Sequence, residues 1–336
     1  MKRFIDGTKK QFKANLHCHT NLSDGKWTPE QVKEEYKKRG YSVIAITDHE
    51  HLVSHNDLTD NEILFITAYE AYIRNLPFDA KLDSQSHINF YSKTPENKLV
   101  YYTPNHTKYI GEEELKTLKY HHYVESREYS VQFLKKMIED AHKAGFLSCH
   151  NHPTWSFEDE SFSEAYRDCL AMEIHNYSAY TIGHNEFNEH YYDYQLKHGS
   201  KMAVIAADDN HNAHDTNSPK CDSFGGFTYI LADKLDYESI IKAMENKEFY
   251  ASCGPQIFSL DCENGSFSVK TSNAKRIVFV TNSHNRAVFL ANENEFVTEG
   301  TFTPIDKVEW VYVVVTDEFG KKAFSRAIFK DEFKNA

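Results

Sequence analysis

The sequence predicts an α/β fold followed by a small all-β unit. Three observations carry this. Up to about residue 255, apolar β-branched runs alternate with helix-like runs, the pattern of a parallel sheet that is either open or closed into a barrel. After Cys253-Gly254-Pro255 the texture changes to short alternating segments parted by Asn, Gly and Ser, the pattern of a small antiparallel sandwich. Histidine follows the same division: of 19 in the chain, only His284 lies beyond His214. The expected domains are therefore 1–255 and 256–336.

The elements follow in order. FKANLHCH reads as a short strand. TPEQVKEEYKKRG reads as a helix with Thr28 as N-cap, Pro29 at its first position and Gly40 just past its end. YSVIAITDH is an apolar run that suits a strand buried on both faces. LFITAYEAY and SHINFYS are two further strands. In VQFLKKMIEDAHKAG, Leu134, Met137, Ile138 and Ala141 fall on one helical face. FLSCHNHP, LAMEIHNY and KMAVIAADD are strands, with a helical stretch at about 184–198 between the last two. YESIIKAMENKEF is the last helix. Residues 97–130, polar and rich in tyrosine, break the alternation and read as an insertion, either covering a site or forming a plain surface excursion. SFSVKTSN, AKRIVFVTNS, RAVFLAN, KVEWVYVVVTDEFG and KKAFSRAIF supply the β segments of the second unit.

Composition narrows the function. The 336 residues suffice for one large domain or two ordinary ones. With 50 acidic against 38 basic side chains, the net charge is −12, a poor basis for gripping a nucleic-acid polymer through its phosphates. No run of about 18 apolar residues is present, so no membrane span is expected. The opening MKRFIDGTKKQF lacks the apolar stretch of a secretory signal. The six cysteines form no C-x-x-C pair, which fits free thiols in a reducing cytoplasm.

Asn15-Leu16-His17-Cys18-His19-Thr20 carries the first chemical signal. Residues i and i+2 of a strand face one side, so His17 and His19 present two imidazoles together, and Cys18 faces the core. Two ordinary histidines at a strand end are the plainer alternative. Ser23-Asp24-Gly25 then adds a carboxylate, and Thr47-Asp48-His49 ends the next apolar strand. Ligands bind at such carboxyl ends in parallel α/β folds. The placement recurs at Glu70, His87, His150, His152, Asp209 and His211. A mixed imidazole and carboxylate set suits Zn, Mn or Fe.

This ordered set resembles the PHP (polymerase and histidinol phosphatase) family of metal-dependent phosphoesterases, over roughly residues 12–255. The phrases NHPTWS, AADDNH and FYASCGP look like a bacterial subgroup with a C-terminal β domain. The resemblance implies a distorted (β/α)7 barrel holding two or three divalent ions. Carried over, one ion takes His17, His19, Glu70 and Asp209. A second shares Glu70 and adds His87 and His152. A third takes Asp24, His49 and His211, although some relatives have histidine where this chain has Asp24, so two ions remain an alternative. His152, directly before proline, is favoured over His150, which is then a supporting or substrate-contacting group.

The implied activity is hydrolysis of a phosphate ester of a small phosphorylated metabolite or nucleotide, acting as phosphatase or phosphodiesterase. Divalent metal lowers the pKa of bound water toward about 7, and Glu70 is the expected bridge. His175 and His51 are candidate general acids, with structural roles as the alternative. Asp48 and Asp208 are expected to orient ligand imidazoles. Arg74 is a candidate phosphate grip, with a surface arginine as the plainer reading. Two rivals stand beside this: an amidohydrolase-type enzyme cleaving a C–N or C–O bond, and a metal-stabilised binding module. Homo-oligomerisation is an open expectation.

Overall fold

The computed structural model describes residues 1–75 and 84–334. Its first strands are β1 (Lys2–Ile5), β2 (Lys10–Asn15), β3 (Val43–Ile46), β4 (Leu64–Arg74) and β5 (Gln85–Ser92). Short strands β6 (Leu99–Tyr102) and β7 (Tyr120–Tyr123) lie within the insertion, and β8 (Phe146–His150), β9 (Ala171–Asn176), β10 (Ala203–Ala207), β11 (Phe227–Ala232) and β12 (Phe249–Ser252) complete the α/β part. The β-rich end contains β13 (Ile257–Glu263), β14 (Ser266–Ala274), β15 (Arg276–Thr281), β16 (Ala287–Leu290), β17 (Val297–Phe302), β18 (Trp310–Thr316), β19 (Lys322–Phe324) and β20 (Ile328–Phe329).

The helices are α1 (Pro29–Lys37), α2 (Glu112–Leu115), α3 (Val131–Lys143), α4 (Pro153–Ser156), α5 (Tyr177–Thr181), α6 (Glu189–Lys197), α7 (Tyr237–Glu245) and α8 (Lys330–Phe333). Helix α1 starts as its sequence dictates. The Thr28 hydroxyl accepts from the Gln31 amide, and the Gln31 side chain accepts from the Thr28 amide. This reciprocal cap satisfies two otherwise orphaned donors. Gly40 adopts φ +75° just beyond the helix, where a left-handed residue ends the turn. Helix α3 buries Leu134, Met137, Ile138 and Ala141, the face read from its spacing. Among the described residues no helix is long and apolar enough to cross a membrane.

The fold is mixed α/β, built on a 14-stranded sheet ordered β10-β9-β8-β5-β4-β3-β2-β11-β12-β19-β18-β15-β16, with β20 against β18. The first seven strands of this path hold the site. Six of them are mutually parallel. The seventh, β5, runs antiparallel to both β4 and β8, which corrects the expectation of a wholly parallel sheet. The connection from β4 to β5, residues 75–84, is too short for the crossover of a dozen or more residues that a parallel return needs. An isolated parallel bridge joins Cys18 to Asn210 across the two ends of this seven-strand path. The Asp209 amide donates to the His17 carbonyl and the His19 amide to the Asn210 carbonyl.

The β-rich end forms two layers. A second sheet, β1-β13-β14-β17, shares one core with β15 and β18 through Phe4, Leu260, Phe267, Phe279, Val311 and Val313. The first strand of the chain thus pairs with β13 rather than with the site-bearing strands.

Candidate metal centre

The strand ends converge on one buried cluster. Ladder pairing in β2 stops at Asn15, yet His17 and His19 still face inward, with Nε2 atoms 3.1 Å apart. Asp209 Oδ1 lies 3.0 Å from His17 Nε2 and 3.1 Å from His19 Nε2. Glu70 Oε1 lies 3.3 Å from His17 Nε2, 3.0 Å from His87 Nδ1 and 3.3 Å from His152 Nε2. The antiparallel run of β5 is what brings His87 here: it sits opposite Tyr72 in the ladder, at the site end. On the open side, Asp24 Oδ1 is 3.4 Å from His211 Nε2 and Asp24 Oδ2 is 3.6 Å from His49 Nε2.

All nine residues expected as ligands are present in this cluster. Their ligand atoms fall within 4.8 Å of one another in four groups: His17, His19 and Glu70; His17, His152 and Asp209; His49, Glu70 and His87; and His19, Asp24, His49 and His211. The partition differs from the implied one. His152 sits with Asp209, and His49 is shared between Glu70 and the Asp24 side.

The cluster fits a cation on two counts. Glu70 Oε2 and His49 Nδ1 are both buried without a hydrogen bond, although only 2.9 Å apart. Buried polar atoms are nearly always satisfied, and an ion is one of the few reasons they are not. The donor set itself, six imidazoles and three carboxylates, is that of Zn, Mn or Fe sites.

The charges are strongly coupled. Burial disfavours protonation of His17, but Asp209, Glu70 and Glu173 outweigh it and hold the imidazole well above its ordinary range. For His49 too, burial is overcome by Glu70 and Asp24, and its pKa rises to about 9. Burial, together with the facing His211 and His49, pushes His19 down to about 4. Glu70 pays for burial and is still held well below the usual carboxylate range by His87, His17 and His49. Several backbones here occupy the left-handed region: Glu50 (φ 54°), His152 (25°), Asp209 (54°) and Asn212 (56°). Non-glycine residues in that region collect at functional sites.

The remaining expectations divide. His150 and His152 do not point the same way, because β8 ends at His150 and His152 lies on the turn beyond it. His150 turns away from the cluster: its Nε2 meets Glu158 Oε2 at 2.8 Å and its ring stacks on Tyr166 at 3.6 Å. Neither histidine considered as general acid lines the cavity over the cluster. His51 bridges the Leu22 carbonyl and Glu114. His175 donates from Nδ1 to the Glu186 carbonyl and packs on Tyr177, Tyr180 and Phe187. Asp208 orients a loop rather than an imidazole, whereas Asp48 also reaches an imidazole through Ser23, whose hydroxyl lies 3.4 Å from His19 Nδ1. Asp48 accepts from the Thr20 amide and hydroxyl and from Ser23, fixing the loop that carries Asp24. Asp208, raised to about 7 by burial, accepts from Tyr36 and from the amides of Phe224, Gly225 and Gly226. Cys18 is buried in a core cluster with Val32 and Tyr36.

Sequence reading missed Glu173. This buried carboxylate accepts from His17 Nδ1 at 2.7 Å, from the His152 amide at 2.8 Å and from Asn176 at 2.7 Å. With Nδ1–H so engaged, His17 presents the Nε2 lone pair inward. The signal was an acid inside an apolar strand, two residues before His175. Asn151, which donates to Glu70 at 2.7 Å, was missed as well.

A cavity of about 240 Å³ opens over the cluster. Beyond the cluster residues it is lined by Tyr72, Arg74, Gln85, Lys108, Tyr109 and Trp155. Lys108 and Tyr109 come from the insertion. A buried ion pair anchors that insertion: Arg127 donates to both carboxylate oxygens of Glu50 at 2.6 and 2.8 Å.

An α/β scaffold with a nine-residue imidazole and carboxylate cluster at its strand ends defines a protein with a candidate metal centre. The PHP domain family matches residues 15–244, and the chain belongs to that family. Solved structures with similar folds include a two-domain protein from Bacteroides vulgatus containing a predicted PHP-like metal-dependent phosphoesterase, at 14% identity and a TM-score of 0.45, with 96% of each chain covered. A protein from Bifidobacterium adolescentis named a putative metal-dependent phosphoesterase aligns at 14% identity and a TM-score of 0.39, over 61% of this chain and 90% of the other. An amidohydrolase from Chromobacterium violaceum aligns at 14% identity and a TM-score of 0.37, over 59% of this chain and 87% of the other. Among curated proteins none matches.

Proposed function

We propose that the chain hydrolyses a phosphate ester of a small phosphorylated metabolite or nucleotide at a di- or trinuclear centre held by His17, His19, Asp24, His49, Glu70, His87, His152, Asp209 and His211. The observation that carries this reading is the convergence of all nine side chains beneath a cavity whose wall also holds Arg74 and Lys108. Divalent ions bound there supply Lewis acidity and a water acidic enough to ionise near neutral pH. Glu70, with its two oxygens directed at different imidazoles, would be shared between ions. Glu173 and Ser156 hold the tautomers of His17 and His152. Arg74 and Lys108, in the cavity wall with Tyr72 and Trp155, would bind the non-bridging phosphate oxygens.

The small cavity favours a compact substrate over a nucleic-acid polymer. The bridge between Cys18 and Asn210 supports closure of the seven site-bearing strands into a distorted barrel. We keep the division near residue 255, with β1 assigned to the second unit by its pairing with β13. Six free, buried thiols support a reducing, cytoplasmic setting. Assay of metal-loaded protein on p-nitrophenyl phosphate, bis-p-nitrophenyl phosphate and N-acetyl substrates tests the proposal. Phosphoester hydrolysis that vanishes in E70A is the expected result; metal-dependent turnover of amides alone refutes it.

A further inference from the structure

The Asp24 side of the cluster is its most solvent-exposed part: the Asp24 side chain is 36% exposed, against 1% for Glu70. A carboxylate on an open loop is a poorly ordered ligand unless something fixes it. Asp48 fixes the base of that loop through Thr20 and Ser23, and the Ser23 hydroxyl, 3.3 Å from Asp24 Oδ1, restrains one carboxylate oxygen. The insertion restrains the other. Tyr109 donates its hydroxyl to Asp24 Oδ2 at 3.2 Å, and its ring lies nearly parallel to His49, with centroids 6.2 Å apart and planes at 16°. With Oδ2 engaged, Oδ1 stays turned toward His211 Nε2 at 3.4 Å and His19 Nδ1 at 3.7 Å.

Resting on the metal-site reading above, we propose that Tyr109 is a positioning residue for the ion bound by Asp24, His49 and His211. The insertion, though remote in sequence from every ligand of that ion, completes its site by fixing the carboxylate. The insertion is itself held to the ligand-bearing loops by His51–Glu114 at 2.8 Å and by Arg127–Glu50, so Tyr109 is presented on a tethered segment. Ordering a ligand before binding lowers the entropic cost of capture.

Metal content read by elemental analysis after equilibration with buffered Mn²⁺ or Zn²⁺ tests this without reference to turnover. Wild-type protein is expected to hold three ions per chain. Y109F is expected to hold two at the same free metal and to bind the third at least tenfold more weakly. K108A, one residue away, is expected to keep three, and thermal melts of the metal-free variants should coincide. Wild type holding only two ions, or Y109F holding three with unchanged affinity, overturns the inference. The underlying reading fails separately: wild type binding no metal, or E70A binding as much as wild type, sinks the centre itself.

Discussion

At the scale of single residues, the site depends on which atom of each imidazole faces the cluster. Glu173 accepts three donors at once, and an amide in its place turns a donor toward at least one of them. E173Q is therefore expected to weaken metal affinity about 10- to 100-fold, with the fold intact by circular dichroism; unchanged binding isotherms would show that His17 needs no such partner. The two histidines flanking Asn151 should behave oppositely. H152A is expected to lose bound metal. H150A is expected to keep it but to strand Glu158 in the interior and lower the urea midpoint, since an uncompensated buried charge costs several kcal/mol. Equal metal loss in both variants would contradict the geometry.

All nine cluster residues were readable from the sequence because their types are distinctive and they recur at strand ends. Glu173 was not. It sits within an apolar strand, and only the fold reveals that its neighbour is His17. The sequence favoured His152 over His150 only through the proline that follows it and the family resemblance, because the left-handed turn at His152 that parts them is a backbone choice no side chain announces.

Among elements, β5 and the insertion decide the shape of the site. The reversed direction of β5 was hidden in the sequence: an apolar run reads the same in either sense, and only the short connection to β4 constrained it. Strand β11 was missed for a related reason, since its antiparallel pairing with β2 has no local signature. The insertion was legible as an interruption, but its tether was not, because Arg127 and Glu50 lie 77 positions apart and each alone reads as a surface charge. Both side chains are 2% exposed. R127M leaves buried Glu50 with only the Tyr72 amide at 2.8 Å and His106 at 3.6 Å, and losing its guanidinium partner is expected to cost about 3–5 kcal/mol, measured by urea denaturation. A loss below about 1 kcal/mol would mean the pair is solvated in solution.

For the whole molecule, the metals should act as folding ligands. Three carboxylates and six imidazoles are assembled only in the folded chain, and anything bound only by the folded chain stabilises it by about 2.7 kcal/mol at a free concentration 100 times its Kd. Chelation with EDTA is expected to lower Tm by several degrees, and restoring Mn²⁺ or Zn²⁺ should reverse the shift. A Tm indifferent to chelator would argue that the centre binds metal weakly or not at all. The β-rich end was legible in the change of texture after Pro255. That the large sheet runs on into it was not, because the junction is made by β12 and β19, which lie on either side of that change.

The pairing of β1 with β13 bears on how the chain is made. On the ribosome, residues 2–5 are made well before their partners Leu260, Asp261 and Cys262, which follow some 250 positions later. The Lys2 side chain also donates to the Glu332 carbonyl, later still in the sequence. Strand β1 therefore waits, without those partners, through synthesis of all nine cluster residues. A nascent chain arrested before β13 should present Phe4 and Ile5 to solvent or to chaperones, and its amino-terminal segment should be cut by protease until the β-rich end arrives to cover it.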